Sequence, residues 1–166
     1  MRTFRKLGFE TEETKNITNA LNKLLANYHV HYQKLRNYHW NVKGSDFFDL
    51  HEQFEQEYNQ VKLNIDAIAE RIRIFGKTPL STLSEYLDVS EIKETHKPLS
   101  SMEMVSEILD DFETLLSLMI DVTDAAIKIG DTGTDHMMTG FVQRMEKRHW
   151  MLTAFTKEEQ KELANS

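Results

Sequence analysis

Hydrophobic residues recur every three or four positions over four long stretches of the chain, and this spacing predicts four amphipathic α-helices. The first predicted helix starts near Glu12, and the second ends at Gly76. A capping box formed by Ser100 and Glu103 begins the third helix, and Gly130 closes it. The fourth helix is expected after the short turn GDTGT. The pattern therefore predicts an all-helical protein.

The connection between the second and third predicted helices occupies residues 77–99 and contains Pro79 and Pro98. Antiparallel neighbours in a bundle are usually joined by roughly two to eight residues, so this connection suits a crossover along the whole bundle. The segment STLSEYL predicts a short extra helix within it. A single long crossover at this position is typical of the ferritin-like four-helix bundle. We predict one domain over residues 1–166, with a short flexible arm at 1–9 and a fraying tail at 157–166.

Composition narrows the class of protein. The chain contains 27 acidic and 20 basic residues, which gives a net charge of −7. It has no cysteine, so neither a disulfide framework nor a thiolate metal site is available. We find no apolar run of membrane-span length and no signal-peptide core, so we expect a cytoplasmic protein without a membrane segment.

Histidines and acids lie beside the apolar stripe of the second predicted helix. His51 and Glu55 are one helical turn apart, and Asp66 and Glu70 repeat that spacing. At 1.5 Å per residue, His51 and Asp66 are roughly 22 Å apart on one helix, so they cannot bind the same ion within one chain. By itself, such a face is typical of solvated surface.

A dimer would bring these groups together. Two copies of the second helix, packed antiparallel about a two-fold axis near Asn59 or Gln60, would place His51 of one chain beside Asp66 and Glu70 of the other. Isologous pairing would create two equivalent sites. His39, at the end of the first helix, would complete each one. Imidazole and carboxylate ligands suit Fe(II), and also zinc or manganese.

Four motifs carry a family resemblance: HWNVKG at 39–44, HE at 51–52, DAIAER at 66–71 and PLSTLSEYL at 79–87. Together they resemble the Dps family of mini-ferritins. The resemblance implies a homo-oligomeric hollow shell of twelve subunits, a dodecamer, that oxidises Fe(II), preferably with hydrogen peroxide, and stores ferric mineral. It implies a ferroxidase centre whose metal ligands are His39 and His51 of one chain and Asp66 and Glu70 of its partner. Glu55 is expected to hold a second ion. In such proteins a tryptophan at the position of Trp40 lies near the metal.

Two alternatives come from other functional classes. One is a nucleoid-associated, DNA-binding stress protein, but the net negative charge argues against strong DNA binding. The basic cluster of the predicted arm consists only of Arg2, Arg5 and Lys6. The other is a non-catalytic helical oligomer that binds metal. An intrasubunit di-iron site needs two Glu-x-x-His motifs, and the chain offers only Glu146-x-x-His149.

Several remaining polar and aromatic residues receive structural interpretations. We expect His29 and His31 to be structural and Trp40 to lie in the core. Asp131 and Asp135 lie at the turn before the fourth helix. Either they cap that helix, or they line a pore that attracts cations into a shell.

Overall fold

The computed structural model describes Phe9 and residues 12–164, with side chains through Lys157. Every regular element in that range is a helix. The helices are α1 (Glu13–Asn41), α2 (Phe47–Ile74), α3 (Leu83–Val89), α4 (Ser101–Ile129) and α5 (Thr132–Ala164). The four long helices form a bundle in which α1 packs against α2 and α4, and α4 packs against α5. The short α3 lies in the crossover and packs on α1. The all-α fold and the extra helix are thus confirmed.

Local signals set most of the helix ends. The Ser100 hydroxyl accepts a hydrogen bond from the Glu103 amide, and the Glu103 carboxylate accepts from the Ser100 amide. The same reciprocal pair of bonds, between Thr82 and Glu85, begins α3. Gly130 closes α4 with φ 68°, a left-handed conformation that only glycine adopts readily. The capping box and the glycine stop predicted from the sequence are confirmed.

The turn between α4 and α5 is shorter than predicted. Helix α5 already begins at Thr132, because the Asp131 carboxylate accepts a hydrogen bond from the Thr134 amide at 3.2 Å. Asp131 is only 2% exposed and forms an ion pair with Arg71 at 2.5 Å. A Cβ atom on Gly133 would lie 2.9 Å from Arg71 Nη2, so the glycine leaves room for this ion pair. Asp131 therefore has the capping role, the first of the two that the sequence left open.

Two predictions about burial were wrong. The spacing of apolar residues from Val105 to Ile120 predicts that Ile120 lies on the buried face of α4, but its side chain is 56% exposed. Trp40 is 57% exposed rather than buried in the core. Each directly follows a buried residue, Met119 and His39 respectively. Because successive helical residues point about 100° apart, the second of each pair faces away from the core.

The described residues near the two ends of the chain add one packing contact and the last turns of α5. The Phe9 side chain is buried and packs edge-on against Phe75, with ring centroids 5.7 Å apart. The rest of the predicted arm lies outside the described residues. At the other end, the backbone of α5 continues helically to Ala164, through most of the predicted tail. None of the helices in the described part of the chain combines the length and apolar character needed to cross a lipid bilayer.

A cluster of charged side chains lies inside the bundle between α1 and α4. His31 Nδ1 contacts Asp111 Oδ2 at 2.9 Å, and Lys34 Nζ contacts Asp111 Oδ1 at 2.8 Å. Lys34 Nζ also lies 3.8 Å from Glu107, whose carboxylate accepts a hydrogen bond from the Tyr38 hydroxyl. We call these five residues the closed cluster. The structural interpretation of His31 is confirmed, since its side chain is fully buried and hydrogen-bonded to Asp111.

Candidate metal centre

The corner between α1 and α2 brings two histidine rings face to face. His39 lies in the last turn of α1, and His51 lies in the second turn of α2. Their ring centroids are 3.8 Å apart and the ring planes differ by 21°. His39 is 8% exposed and His51 is half-buried. Gly44, with φ 105°, allows the chain to reverse direction between the two helices.

Two reciprocal hydrogen bonds place a proton on the Nδ1 atom of each ring. His39 Nδ1 lies 2.8 Å from the backbone carbonyl of His51, and His51 Nδ1 lies 2.8 Å from the backbone carbonyl of His39. Because a carbonyl oxygen only accepts, each Nδ1 must carry the proton. Neutral imidazoles bonded in this way leave both Nε2 lone pairs available. Backbone carbonyls orient metal-binding histidines by the same kind of bond in many proteins.

Aromatic rings hold the histidine pair from both sides. Phe47 stacks on His51, with ring centroids 5.0 Å apart and an interplanar angle of 27°. Tyr58 meets His39 at 81°, with centroids 5.4 Å apart. The two imidazoles are therefore confined both by hydrogen bonds and by packing. Their Nε2 positions are set before any ion arrives, which reduces the entropy cost of binding.

Glu55 adds a carboxylate to the pair. It lies one turn after His51 on α2, and its side chain is exposed. One ligand atom from each of His39, His51 and Glu55 lies within 4.8 Å of the other two. Among the described residues this is the one group of three or more potential ligands so arranged. The donors are two imidazole nitrogens and one carboxylate oxygen, a set that fits divalent iron, zinc or manganese.

Tyr58 also approaches Glu55. Burial raises the pKa of the Tyr58 phenol, and the nearby Glu55 carboxylate raises it further both by its charge and by a hydrogen bond. The phenol therefore stays protonated at neutral pH. The apolar spacing of α2 predicts only core packing for Tyr58. Its spacing of seven residues from His51, which puts both on one face of α2, was the available signal.

Asp66 and Glu70 lie far from this group in the same chain. Both are exposed on α2, one turn apart. Their distance from His51 along the straight helix is roughly 22 Å or more. Neither carboxylate forms a hydrogen bond or ion pair with another described residue. One chain thus brings together three of the five predicted ligands and leaves the other two free on its surface.

Comparisons with known proteins agree with this architecture. Residues 18–161 match the family model described as a ferritin-like domain. The DNA protection during starvation protein 2 of Bacillus anthracis is 39% identical over 141 residues, which cover 85% of this chain and 97% of that protein. The chain belongs to the Dps family of ferritin-like proteins.

Other Dps proteins extend the match. The DNA protection during starvation protein of Brevibacillus brevis is 41% identical over 135 residues, which cover 81% of this chain and 91% of that protein. A crystal structure of a Dps protein from Vibrio cholerae O1 matches with a TM-score of 0.88 and 38% identity, and covers 93% of this chain and 97% of that one. It is described as a member of a broad superfamily of ferritin-like diiron-carboxylate proteins.

The lone Glu-x-x-His motif of this Dps chain has a structural setting. His149 Nε2 lies 3.6 Å from the exposed Glu113 carboxylate, and His149 Nδ1 lies 3.5 Å from the Thr153 hydroxyl. Glu146 is exposed. Within the described residues, no third potential ligand joins this pair. The motif therefore lies at the surface of α5.

Proposed function

We propose that this Dps protein oxidises Fe(II) with hydrogen peroxide at sites shared between two-fold-related subunits, and stores the product in a hollow shell of twelve subunits. One observation carries the proposal. His39, His51 and Glu55 form half of a coordination shell with both Nε2 atoms free, while Asp66 and Glu70 on the same helix have no partner in the described chain. A second copy supplies the missing half.

The exposed face of α2 is suited to pairing with a second copy. An axis near Asn59 and Gln60 lies midway between His51 and Glu70, so an antiparallel partner aligns the two ends reciprocally. Leu63, on the face between these ends, is 62% exposed, and Phe48 is 82% exposed. Burial of both side chains against a partner would stabilise the pair by about 1.5–3 kcal/mol each.

Each group in the shared site has a distinct task. His39 and His51 bind Fe(II) through Nε2, and the partner's Asp66 and the partner's Glu70 supply carboxylates that neutralise the ion. Two imidazoles and two carboxylates leave a coordination position open to the oxidant. Glu55 binds a second ion. Zinc and manganese are expected to compete for the same ligands.

The reaction balances with two Fe(II) ions for each peroxide. Each Fe(II) gives up one electron, and the two electrons break the O–O bond of hydrogen peroxide. With two water molecules the products are two FeO(OH) units and four protons. No hydroxyl radical is released, which protects a cytoplasm that contains both reagents. Exposed acids on α2, such as Glu52, favour deposition of the ferric product.

Complementation between two inactive variants tests whether the sites are shared. We choose His39→Ala and Asp66→Asn, and co-express them so that subunits mix. In a mixed pair, one site carries both defects, while the other has intact histidines from one chain and intact carboxylates from its partner. Random mixing makes half the pairs mixed, so about a quarter of all sites should recover.

The readout is ferric absorbance after anaerobic Fe(II) receives peroxide. Each variant alone should react at no more than roughly a tenth of the wild-type rate, since each lacks a ligand. The mixture should approach a quarter of the wild-type rate. Failure of the mixture to recover would contradict shared sites, and wild-type rates in either single variant would contradict the ligand assignment. Metal binding without ferric absorbance in the wild type would favour the non-catalytic alternative.

DNA binding receives less support. The relatives are named DNA protection proteins, but a net charge of −7 repeated over twelve subunits opposes contact with a polyanion.

Asp135, which is half-buried near the start of α5, stays a candidate for drawing cations towards the shell.

A further inference from the structure

A buried ion pair ties the end of α2 that carries Asp66 and Glu70 to the start of α5. Arg71 Nη2 lies 2.5 Å from Asp131 Oδ1, and Arg71 Nε donates a hydrogen bond to the Thr134 hydroxyl at 2.8 Å. The Asp131 side chain is buried, and that of Arg71 is 16% exposed. Solvent therefore screens this ion pair weakly, and a break in it would leave a buried carboxylate unpaired.

Packing confines the Arg71 side chain from two further directions. Its guanidinium carbon lies 4.9 Å from the centre of the Phe75 ring, which is a cation–π contact. A Cβ atom on Gly133 would lie 2.9 Å from Arg71 Nη2, so the backbone of α5 approaches the guanidinium closely at this glycine. The ion pair, the ring and the glycine together hold the guanidinium in one place.

This anchor lies beside a proposed metal ligand. Glu70 directly precedes Arg71, and α2 ends at Ile74, so both residues lie near the end of the helix, where helices fray most readily. The fully buried Ile68 and Ile72 hold the inner side of this segment. Arg71 lies about 100° around the helix from Glu70. Its anchor therefore resists rotation and unwinding of the last turns, which two isoleucines on one stripe do not prevent.

We propose that the ion pair between Arg71 and Asp131 positions the carboxylate half of the shared site, because it fixes the end of α2 that carries Asp66 and Glu70. This inference rests on the proposed function, in which these two carboxylates bind an ion together with the partner's histidines. Arg71 and Asp131 do not touch the ion. They keep the two carboxylates in the orientation in which the partner's histidines meet them.

Asp131→Ser removes the ion pair and keeps the cap of α5. Serine caps a helix about as well as aspartate, but its hydroxyl is shorter and uncharged. Asp131→Asn is a milder second variant, since it keeps the size of the side chain and loses only the charge. Arg71 stays in both variants, so the positive charge beside Glu70 is unchanged.

Two mixtures of subunits show which half of the site is affected. In the first mixture, Asp131→Ser is added to the His39→Ala chain, which supplies the carboxylates of every recovered site. In the second, it is added to the Asp66→Asn chain, which supplies the histidines. Both mixtures contain the same three substitutions, so a general loss of stability affects them equally.

Calorimetric titration with Zn²⁺, which is not oxidised, measures the affinity of the recovered sites in the assembled protein. These sites should be the tightest-binding class, because only they hold all the ligands. The first mixture should bind zinc roughly three to ten times more weakly than the second, a smaller loss than follows replacement of a residue bonded directly to a ligand. Asp131→Asn should give the same order with a smaller difference.

The two mixtures also separate this inference from the proposed function. Equal zinc affinities in both mixtures, or a weaker affinity in the second, would overturn the inference and leave the proposed function intact. If His39→Ala and Asp66→Asn chains with an intact Asp131 recover no zinc site when mixed, both the inference and the proposed function are overturned.

Discussion

Two of the histidines of helix α1, His31 and His39, lie near carboxylates in two different environments. In the closed cluster, His31 contacts Asp111, and the Lys34 ammonium lies against the same carboxylate at 2.8 Å. At the corner of the bundle, His39 meets His51 and Glu55, and no lysine or arginine forms an ion pair with this group among the described residues. The residue types are similar, but only the first group contains its own cation.

This difference explains why we propose a metal centre at only one of the two groups. Buried carboxylates must be balanced by a positive charge, and Lys34 supplies it from within the chain. His31 also keeps an unbonded Nε2, but that atom is buried in the bundle, where the ring packs 5.6 Å from Phe112. At the corner the Glu55 carboxylate is exposed and the Nε2 atoms are free, so a metal ion can supply the charge. A histidine beside acidic residues thus indicates a metal site only where no lysine or arginine already balances the negative charge of those acids.

The largest expected effect comes from removing the positive charge of Lys34 from the closed cluster. Lys34→Met should lower the free energy of unfolding by about 3–5 kcal/mol, because it leaves the Asp111 carboxylate buried without its partner. Denaturant unfolding at fixed protein concentration measures the loss. Lys147→Met, at an exposed position on α5, is the control and should change stability by less than about 0.5 kcal/mol. Equal effects of the two substitutions would mean that Lys34 does not balance the cluster.

Zinc should stabilise the protein only by binding to the group of His39, His51 and Glu55 at the corner between α1 and α2. At a free concentration a hundred times the dissociation constant, a ligand specific for the folded state adds about 2.7 kcal/mol to stability. His39→Ala should abolish this gain, and chelation should reverse it in the wild type. His29→Ala is the matched control, since His29 stacks on Tyr86 outside both groups. A zinc-induced rise in melting temperature that survives His39→Ala would place the ion elsewhere.

Features of the fold and of the site could be predicted from the sequence where they depend on residues that lie close together in the chain. The caps at Ser100 and Gly130 and the spacing of His51 and Glu55 depend on residues a few positions apart, and all are readable from the chain. The partner of His31 lies 80 residues away, so helical spacing gave no hint of it. The exposure of Trp40 likewise depends on how helices pack. No pattern of residue types encodes the reciprocal bonds at the corner, because their acceptors are backbone atoms.

A smaller effect should appear at alkaline pH in the closed cluster. Burial and the hydrogen bond to Glu107 raise the pKa of Tyr38 well above its usual range, and burial does the same for Tyr28. Because the folded pKa exceeds that of an unfolded tyrosine, near 10, stability is unaffected below that pH and falls as pH rises above it. Each tyrosine should contribute up to about 1.4 kcal/mol per pH unit.

Unfolding measured at several values above pH 10 checks this slope. Tyr38→Phe should reduce the slope of unfolding free energy against pH by the contribution of one tyrosine. Tyr28 should still contribute to the slope that remains. The substitution also removes a hydrogen bond, which shifts the whole curve but not its slope. Identical slopes in wild type and variant would show that Tyr38 ionises as easily in the folded protein as in the unfolded chain.

The bond from His51 Nδ1 to the His39 carbonyl has a consequence for how the site persists. That carbonyl belongs to the last turn of α1, where backbone acceptors have no amide left to bind within the helix. His51 therefore serves as the terminal cap of one helix while it belongs to another. The chain reversal and the proposed metal site therefore depend on the same side chain. Replacing His51 should lower folding stability whether or not an ion is bound, because the His39 carbonyl would lose its hydrogen-bond partner.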